Sequence, residues 1–599
     1  MKKKYTTLCF VFLIQIAFAQ LSVRNDTFIF VNDQVVFVND NVNLNETDSK
    51  IYLRNDAQLI QGTGTTGNSG IGQLSMYQNG TTHNYAYNYW CSPIGNNSAL
   101  QGNENFQANL IDDATGLITS TDVAFTSIDG TSSPLTIASY WIYTFETSTQ
   151  YSDWFHREDT GNIAPGLGFT MKGTSGSSNN QLYDYRGKPN NGTIANSVSV
   201  GEWTLVGNPY PSALDAVAYI HDTENAAAIT GTLYFWEQDL SVMSHFVADY
   251  VGGYATYTIN ASGTVETFIP ATFDTYDGGG SLNMTGSSST SGKQVHRYIA
   301  IGQGFMVEGS TTTTGTVRTK NTHREYYKQS DEDSEFFKPA NANIDTNLIE
   351  NSTTENENMS TNGTSNPYSS IPSDYKRFRL NIDFNDVYTR QLVQTFHDTE
   401  ATYGFDYGME SKSPADVAND AYWSIDNEPY VAQALPFDTN MAIPLHLKLN
   451  NNGMVRVRIF DIQHFDESQK IFVHDLETNI YHNIKQFPFE VSLNAGEYDN
   501  RFEIVFTDAI LSTEEIVATN FSIFQDNAQQ QLIIKNPDLI TIQNIHLYDM
   551  LGKLIWSNEN VSTENEYTID TSSLSNGVYI TKINTANNKT FTKKVIVRN

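Results

Sequence analysis

The sequence predicts an all-β chain: tandem β-sandwich or other β-rich domains, a short solenoid-like N-terminal segment and an Ig-like C-terminal module. Three observations carry this. Helical periodicity is nearly absent, while short runs of Val, Ile, Tyr, Phe and Thr alternate with polar residues. Asn, Asp, Gly and Ser clusters separate those runs, as turns require. The 599 residues, 39% hydrophobic with 33 Tyr and 33 Phe, exceed the roughly 250–300 residues at which a single core stops growing.

Residues 1–19 read as a secretory signal peptide. Lys2, Lys3 and Lys4 precede an apolar run from Leu8 to Ile16, then Ala17-Phe18-Ala19, with cleavage between Ala19 and Gln20. The run is too short to span a bilayer, and no later stretch approaches the roughly 20 apolar residues a transmembrane helix needs. An exported, soluble chain is expected. Cys9 leaves with the peptide, so Cys91 is the single thiol and has no disulfide partner.

Residues 20–60 nearly repeat a unit, Phe30-Val31-Asn32-Asp33 and then Phe37-Val38-Asn39-Asp40. Short strands with Asn-Asp corners suit coils of a solenoid or a simple meander. The G-x-G-x-x-G from Gly62 to Gly67 lies in a Ser/Thr/Asn/Gly loop that leads to a strand. A dinucleotide fingerprint opens a helix, so this reads as a loop.

Residues 61–321 contain two related units, about 71–200 and 201–321. YWCSPIGNNSAL, YWIYTFE and APGLGFTMKG recur in order as LVGNPYPSALD, LYFWEQDL and AIGQGFMVEG. Matching Pro93 to Pro209 sets Cys91 opposite Gly207, and Gly166-x-Gly168-Phe169 answers Gly302-x-Gly304-Phe305. Residues 322–373, with QSDEDSE and a long Asn/Ser/Thr/Glu tract, read as a polar, disordered linker. Residues 374–508 read as a β-sandwich. There Val455-Arg456-Val457-Arg458 turns valines to one face and arginines to the other. A short linker, 509–519, precedes 520–599, whose seven short strands suggest the Ig-like sandwich.

The formal charge of −32 opposes nucleic acid and anionic membranes. No H-E-x-x-H, G-x-S-x-G, Walker-type G-K-[ST] or EF-hand loop is present, and no acid/base pair stands out, so no catalytic, cofactor or metal residues are assigned. His474 and His482 read as surface histidines. Calcium at the Asn-Asp corners, 32–33 and 39–40, is the alternative to plain turns. Tyr85, Tyr87 and Tyr89 share a strand face. Tyr140, Trp141, Tyr143 and Phe145 form a second aromatic group, and Tyr234, Phe235 and Trp236 a third. Core packing is the preferred reading of these rings; stacking on sugars is the alternative. Cys91 has no nearby base in sequence and reads as a small buried residue.

The chain end resembles a known family. IHLYDMLGKLIW, IDTSSLSNGVYITKI and TFTKKVIV are similar to the C-terminal sorting domain of type IX secretion substrates. The matching positions are Tyr548, Asp549, Gly552, Lys553, Leu574, Gly577, Tyr579, Lys593 and Lys594. The usual Tyr-Pro-Asn-Pro opening is replaced by Phe524-Gln525-Asp526-Asn527. The resemblance implies delivery by the general export and outer-membrane secretion machineries of a Gram-negative cell, with cargo released or held on surface lipopolysaccharide. The remainder resembles uncharacterised multidomain β cargo proteins. The functional expectation is a secreted or surface structural, adhesin-like protein. The alternative is a polysaccharide-binding protein or a glycoside hydrolase.

Overall fold

In the computed structural model the described residues are 20–64, 67–178, 180–288, 293–330, 334, 336–338, 370–507, 522–537, 539–549, 552–559, 561, 563–586 and 590–598. The signal peptide with Ala19, most of the 322–373 segment and the 509–519 linker lie outside them. The chain divides into two compact units, up to Thr507 and from Asp508.

The first unit opens with parallel coils. Strand Leu21–Val23 pairs in parallel with Val42–Leu44, Phe28–Asn32 with Lys50–Arg54, and Val35–Val38 with Gln58–Gln61. A meander would pair neighbours antiparallel, so these strands form the solenoid alternative. Val31, Val38, Leu44, Ile51 and Leu59 fill its interior. At the corner Asp33 takes φ 57°, a left-handed turn that Asn and Asp tolerate. Asn55 Nδ2 donates to Asn32 Oδ1 at 2.8 Å, tying this corner to the next coil.

The two motif sets then pair in one register. Strand Tyr87–Cys91 runs antiparallel to Gly168–Lys172, with Cys91 opposite Gly168 and Trp90 opposite Phe169. Strand Trp203–Gly207 runs antiparallel to Gly304–Gly309, with Gly207 opposite Gly304 and Val206 opposite Phe305. The pairs also join each other reciprocally: Leu167 bridges Val206, and Gln303 bridges Trp90. A Cβ on Gly207 would lie 2.5 Å from that of Cys91 and 2.3 Å from the Gln303 carbonyl oxygen. Close approach of two backbones therefore requires glycine here.

Residues 376–505 form an eleven-stranded sheet around one core, including Phe378, Leu380, Trp423, Leu445, Val457 and Phe502. Val455 and Val457 are buried, while Arg456 and Arg458 pair with Glu490 and Asp383, each at 2.7 Å.

One feature adds to the sequence reading and one departs from it. Arg377 and Arg379 are fully buried. Arg377 Nη1 donates to the Glu266 carbonyl and Arg379 Nη1 to that of Phe268, both at 2.8 Å. These bonds join the 374–508 region to the strand Glu266–Ile269 and leave no boundary between them; the guanidinium stems pack while their donors are satisfied. Within the 322–373 stretch, Phe336 and Phe337 are buried. The first lies against Trp90 at 4.6 Å and the second against Phe235 at 5.7 Å. The Phe337 backbone N–H also donates to Gln303 Oε1 at 2.6 Å, so residues 336–337 are packed and hydrogen-bonded although the average composition of the stretch is polar.

The second unit contains a three-stranded sheet, Ser522–Asp526, Gln531–Lys535 and Glu566–Asp570, and a four-stranded sheet with strands Ile542–Asp549, Leu554–Asn558, Gly577–Thr585 and Thr590–Val597. Leu532, Ile534, Ile545, Leu547 and Ile583 form its core, as in a small sandwich.

Candidate functional site

Side chains directly opposite in an antiparallel pair share a face. The pairs Tyr87–Lys172, Tyr89–Thr170, Tyr143–Thr170 and Tyr143–His156 therefore put Tyr87, Tyr89, Tyr143, Lys172 and His156 on one side of the first sheet. Trp90 and Phe169 point into the core on the other side. In the second sheet Leu205, Tyr234, Trp236, Tyr254 and Met306 share one face, opposite Phe235 and Phe305.

These two faces meet, so the three aromatic groups of the sequence converge. Tyr89 stacks on Trp236 at 6.2 Å, and its hydroxyl lies 2.9 Å from that of Tyr254. Phe145 packs on Trp154 at 4.9 Å and Trp203 on Tyr234 at 4.4 Å. Burial first, and neighbouring phenols second, hold Tyr87, Tyr89 and Tyr143 well above the usual tyrosine range. These phenols therefore remain hydrogen-bond donors.

Lys172 is enclosed at this seam. Its Nζ lies 3.7 Å from the Trp141 ring centre, 4.8 Å from that of Tyr87 and 4.9 Å from that of Tyr250. It donates to Tyr250 Oη at 2.6 Å and contacts His245 Nδ1 at 3.0 Å. His245 stacks on Trp141, and its Nε2 lies 3.0 Å from Asp129 Oδ1. The chain of contacts sets the tautomer, with Nδ1 accepting from lysine and Nε2–H donating to Asp129. Burial pushes the Lys172 ammonium down to about 7, against the charge of Asp129. The ring faces favour its charged form. In the second copy Glu308 occupies the position of Lys172, four residues past the matching glycine. It too is buried, and Lys412 Nζ contacts its Oε1 at 3.2 Å.

The outer rim of the seam is open. Tyr140 is 48%, Tyr151 47% and Phe155 60% exposed. Tyr140 lies 5.3 Å from His156 and 6.3 Å from Tyr143, which itself stacks on His156 at 4.8 Å.

The sequence did not point to Lys172, His245 and Asp129 as a set. Their separations of 73 and 116 residues leave no linear spacing. The usable signal was the single charge ending each GF strand, in GFTMK and GFMVE. Cys91 is fully buried and faces Gly207, and burial pushes its thiol well above the usual range. His474 is held by Glu503 at 2.8 Å and Asn479 at 3.0 Å, while His482 rests on Phe489 at 4.6 Å. Among the described residues no group of three or more His, Cys, Asp or Glu is arranged for a metal ion. No described helix is long and apolar enough to cross a membrane.

In the second unit, Tyr548 and Asp549 end the strand Ile542–Asp549. The Asp549 backbone N–H donates to the Lys553 carbonyl at 3.0 Å, and its Oδ1 accepts from the Lys553 backbone N–H at 2.9 Å. Gly552 supplies the left-handed turn residue, at φ 78°. Gly577 opens the strand Gly577–Thr585, with Leu574 half-buried before it. The Tyr579 hydroxyl donates to the Ser575 carbonyl at 2.9 Å. Lys593 and Lys594 are exposed on an edge strand, where lysines discourage edge pairing. Gln20, at the expected cleavage point, is exposed.

Two family profiles match. Residues 117–506 match a domain of unknown function, DUF8693, and residues 526–598 a secretion system C-terminal sorting domain. No curated protein matches the chain. A solved structure titled "Biofilm associated protein - BSP domain" is 8% identical, aligned over 88% of this chain and 96% of that one, with a TM-score of 0.11; a likeness at that score carries no argument. The chain is thus a type IX secretion substrate, secreted or on the cell surface of a Gram-negative bacterium, and over most of its length it belongs to the DUF8693 family.

Proposed function

We propose that the secreted chain acts as a non-catalytic structural or adhesive protein at the cell surface. One observation carries this reading: the buried lysine of the aromatic seam is closed off. Lys172 is fully buried and committed to Tyr250, His245 and three ring faces. A general base or nucleophile must reach its substrate. The interlocked sheets, with reciprocal bridges between the two motif sets, instead suit a rigid scaffold. The open rim at Tyr140, Tyr151 and Phe155 favours a polysaccharide-binding form of this role over a glycoside hydrolase. The reading is tested by comparing attachment of cells with and without the chain, together with turnover assays on the purified protein. Weaker attachment without the chain, and no turnover, is the expected result. Unchanged attachment, or turnover of a polysaccharide, contradicts it.

A further inference from the structure

We infer that the rim formed by Tyr140, Tyr143, Tyr151 and His156 binds a neutral polysaccharide. This rests on the adhesive reading above and names the ligand class.

Tyr140, Tyr143 and His156 are rings in mutual contact, 4.8 to 6.3 Å apart, and Tyr151 is an electrostatic neighbour of Tyr140. Contact restricts their rotamers, so little freedom is left to lose on binding. Each exposed tyrosine combines an electron-rich ring face with a hydroxyl. A pyranose has the matching chemistry, with C–H groups on one face and hydroxyls around the edge. A protein-docking patch would be drier; here every ring but Phe155 carries a polar tip. His156 Nδ1 lies 3.9 Å from Glu158, which adds an acceptor at the rim.

Charge selects neutral chains over anionic ones. The whole protein carries −32. The cations beside the rim are already engaged: Arg157 with Glu146 at 2.9 Å, and Lys172 within its ring enclosure. Nothing there compensates the charge of a uronate or sulfate. Behind the rim, Trp141 packs on Tyr140 at 4.7 Å, so occupancy should be reported by indole emission.

The test is a tryptophan-fluorescence titration of the full chain. The probes are neutral hexasaccharides with glucan, mannan and galactan backbones, and a heparin hexasaccharide. At least one neutral probe should bind saturably. Tyr140→Ala and Tyr151→Ala should each raise its Kd about tenfold, the scale of a lost ring contact of about 1.4 kcal/mol. Tyr140→Phe should keep most of the affinity. Tyr403→Ala, at a ring that is 75% exposed in a loop elsewhere in the chain, should not change it. Far-ultraviolet dichroism checks that each variant is folded. The inference is overturned if no neutral probe binds, if only heparin binds, or if binding survives both alanine substitutions together. Those outcomes are independent of the attachment assay, which tests the adhesive role itself.

Discussion

Replacing Lys172 by methionine keeps the length of the side chain and removes its charge. The native ammonium sits among three rings, donates to Tyr250 and contacts His245. Burial lowers it from 10.5 to about 7. Below about pH 7 both folded and unfolded chains hold this proton, and the native state bears the full cost of the buried charge. Between pH 7 and 10.5 the unfolded chain holds more protons than the folded one, so stability rises with pH. The limiting slope is about 1.36 kcal/mol per pH unit, so the gain from pH 7 to pH 9 is about 2 kcal/mol. Neighbouring groups also titrate. Burial lowers His245 and His83 and raises Tyr250, so the informative quantity is the difference between wild type and variant. Urea unfolding followed by tryptophan emission at pH 6, 7, 8 and 9 gives that difference. The wild type should gain about 2 kcal/mol on the variant between pH 7 and 9. Parallel curves would refute the account of the enclosed charge.

Other expectations follow from particular contacts. Gly207→Ala places a methyl against the Gln303 carbonyl and Cys91; overpacking there should cost about 1–3 kcal/mol in urea unfolding. Arg377→Leu strands the Glu266 carbonyl and should destabilise the first unit by about 1–3 kcal/mol. Gly552→Ala, at φ 78°, should cost the C-terminal unit about 1–2 kcal/mol and speed its proteolysis in the full chain. Deleting residues 520–599 should leave the protein in the periplasm; surface delivery of the truncated chain would contradict the role of the sorting domain.

Much of this was legible in sequence because the relevant physics is local. Strand alternation and Asn-Asp corners mark short repeated strands, with solenoid and meander both open until the parallel pairing is seen, and the glycine-phenylalanine motifs fall in the same pairing register in both copies. The turn at Asp549–Lys553 is closed by hydrogen bonds between residues four apart, one from the Lys553 backbone N–H to the Asp549 side chain. Long-range contacts were not legible. Nothing local marks Arg377 and Arg379 as buried, because their carbonyl partners come from a distant strand. Phe336 and Phe337 vanish in the average of a polar stretch. The aromatic groups were visible, but not their convergence. The Lys172 enclosure draws on residues from Tyr87 to Tyr250, and only the folded sheets define it.

The most direct measurement incubates the intact secreted protein with end-labelled neutral polysaccharides and reads both retention and chain length. A structural or adhesive protein retains a polysaccharide and leaves its length unchanged. Shortened chains would show catalysis and contradict the central claim.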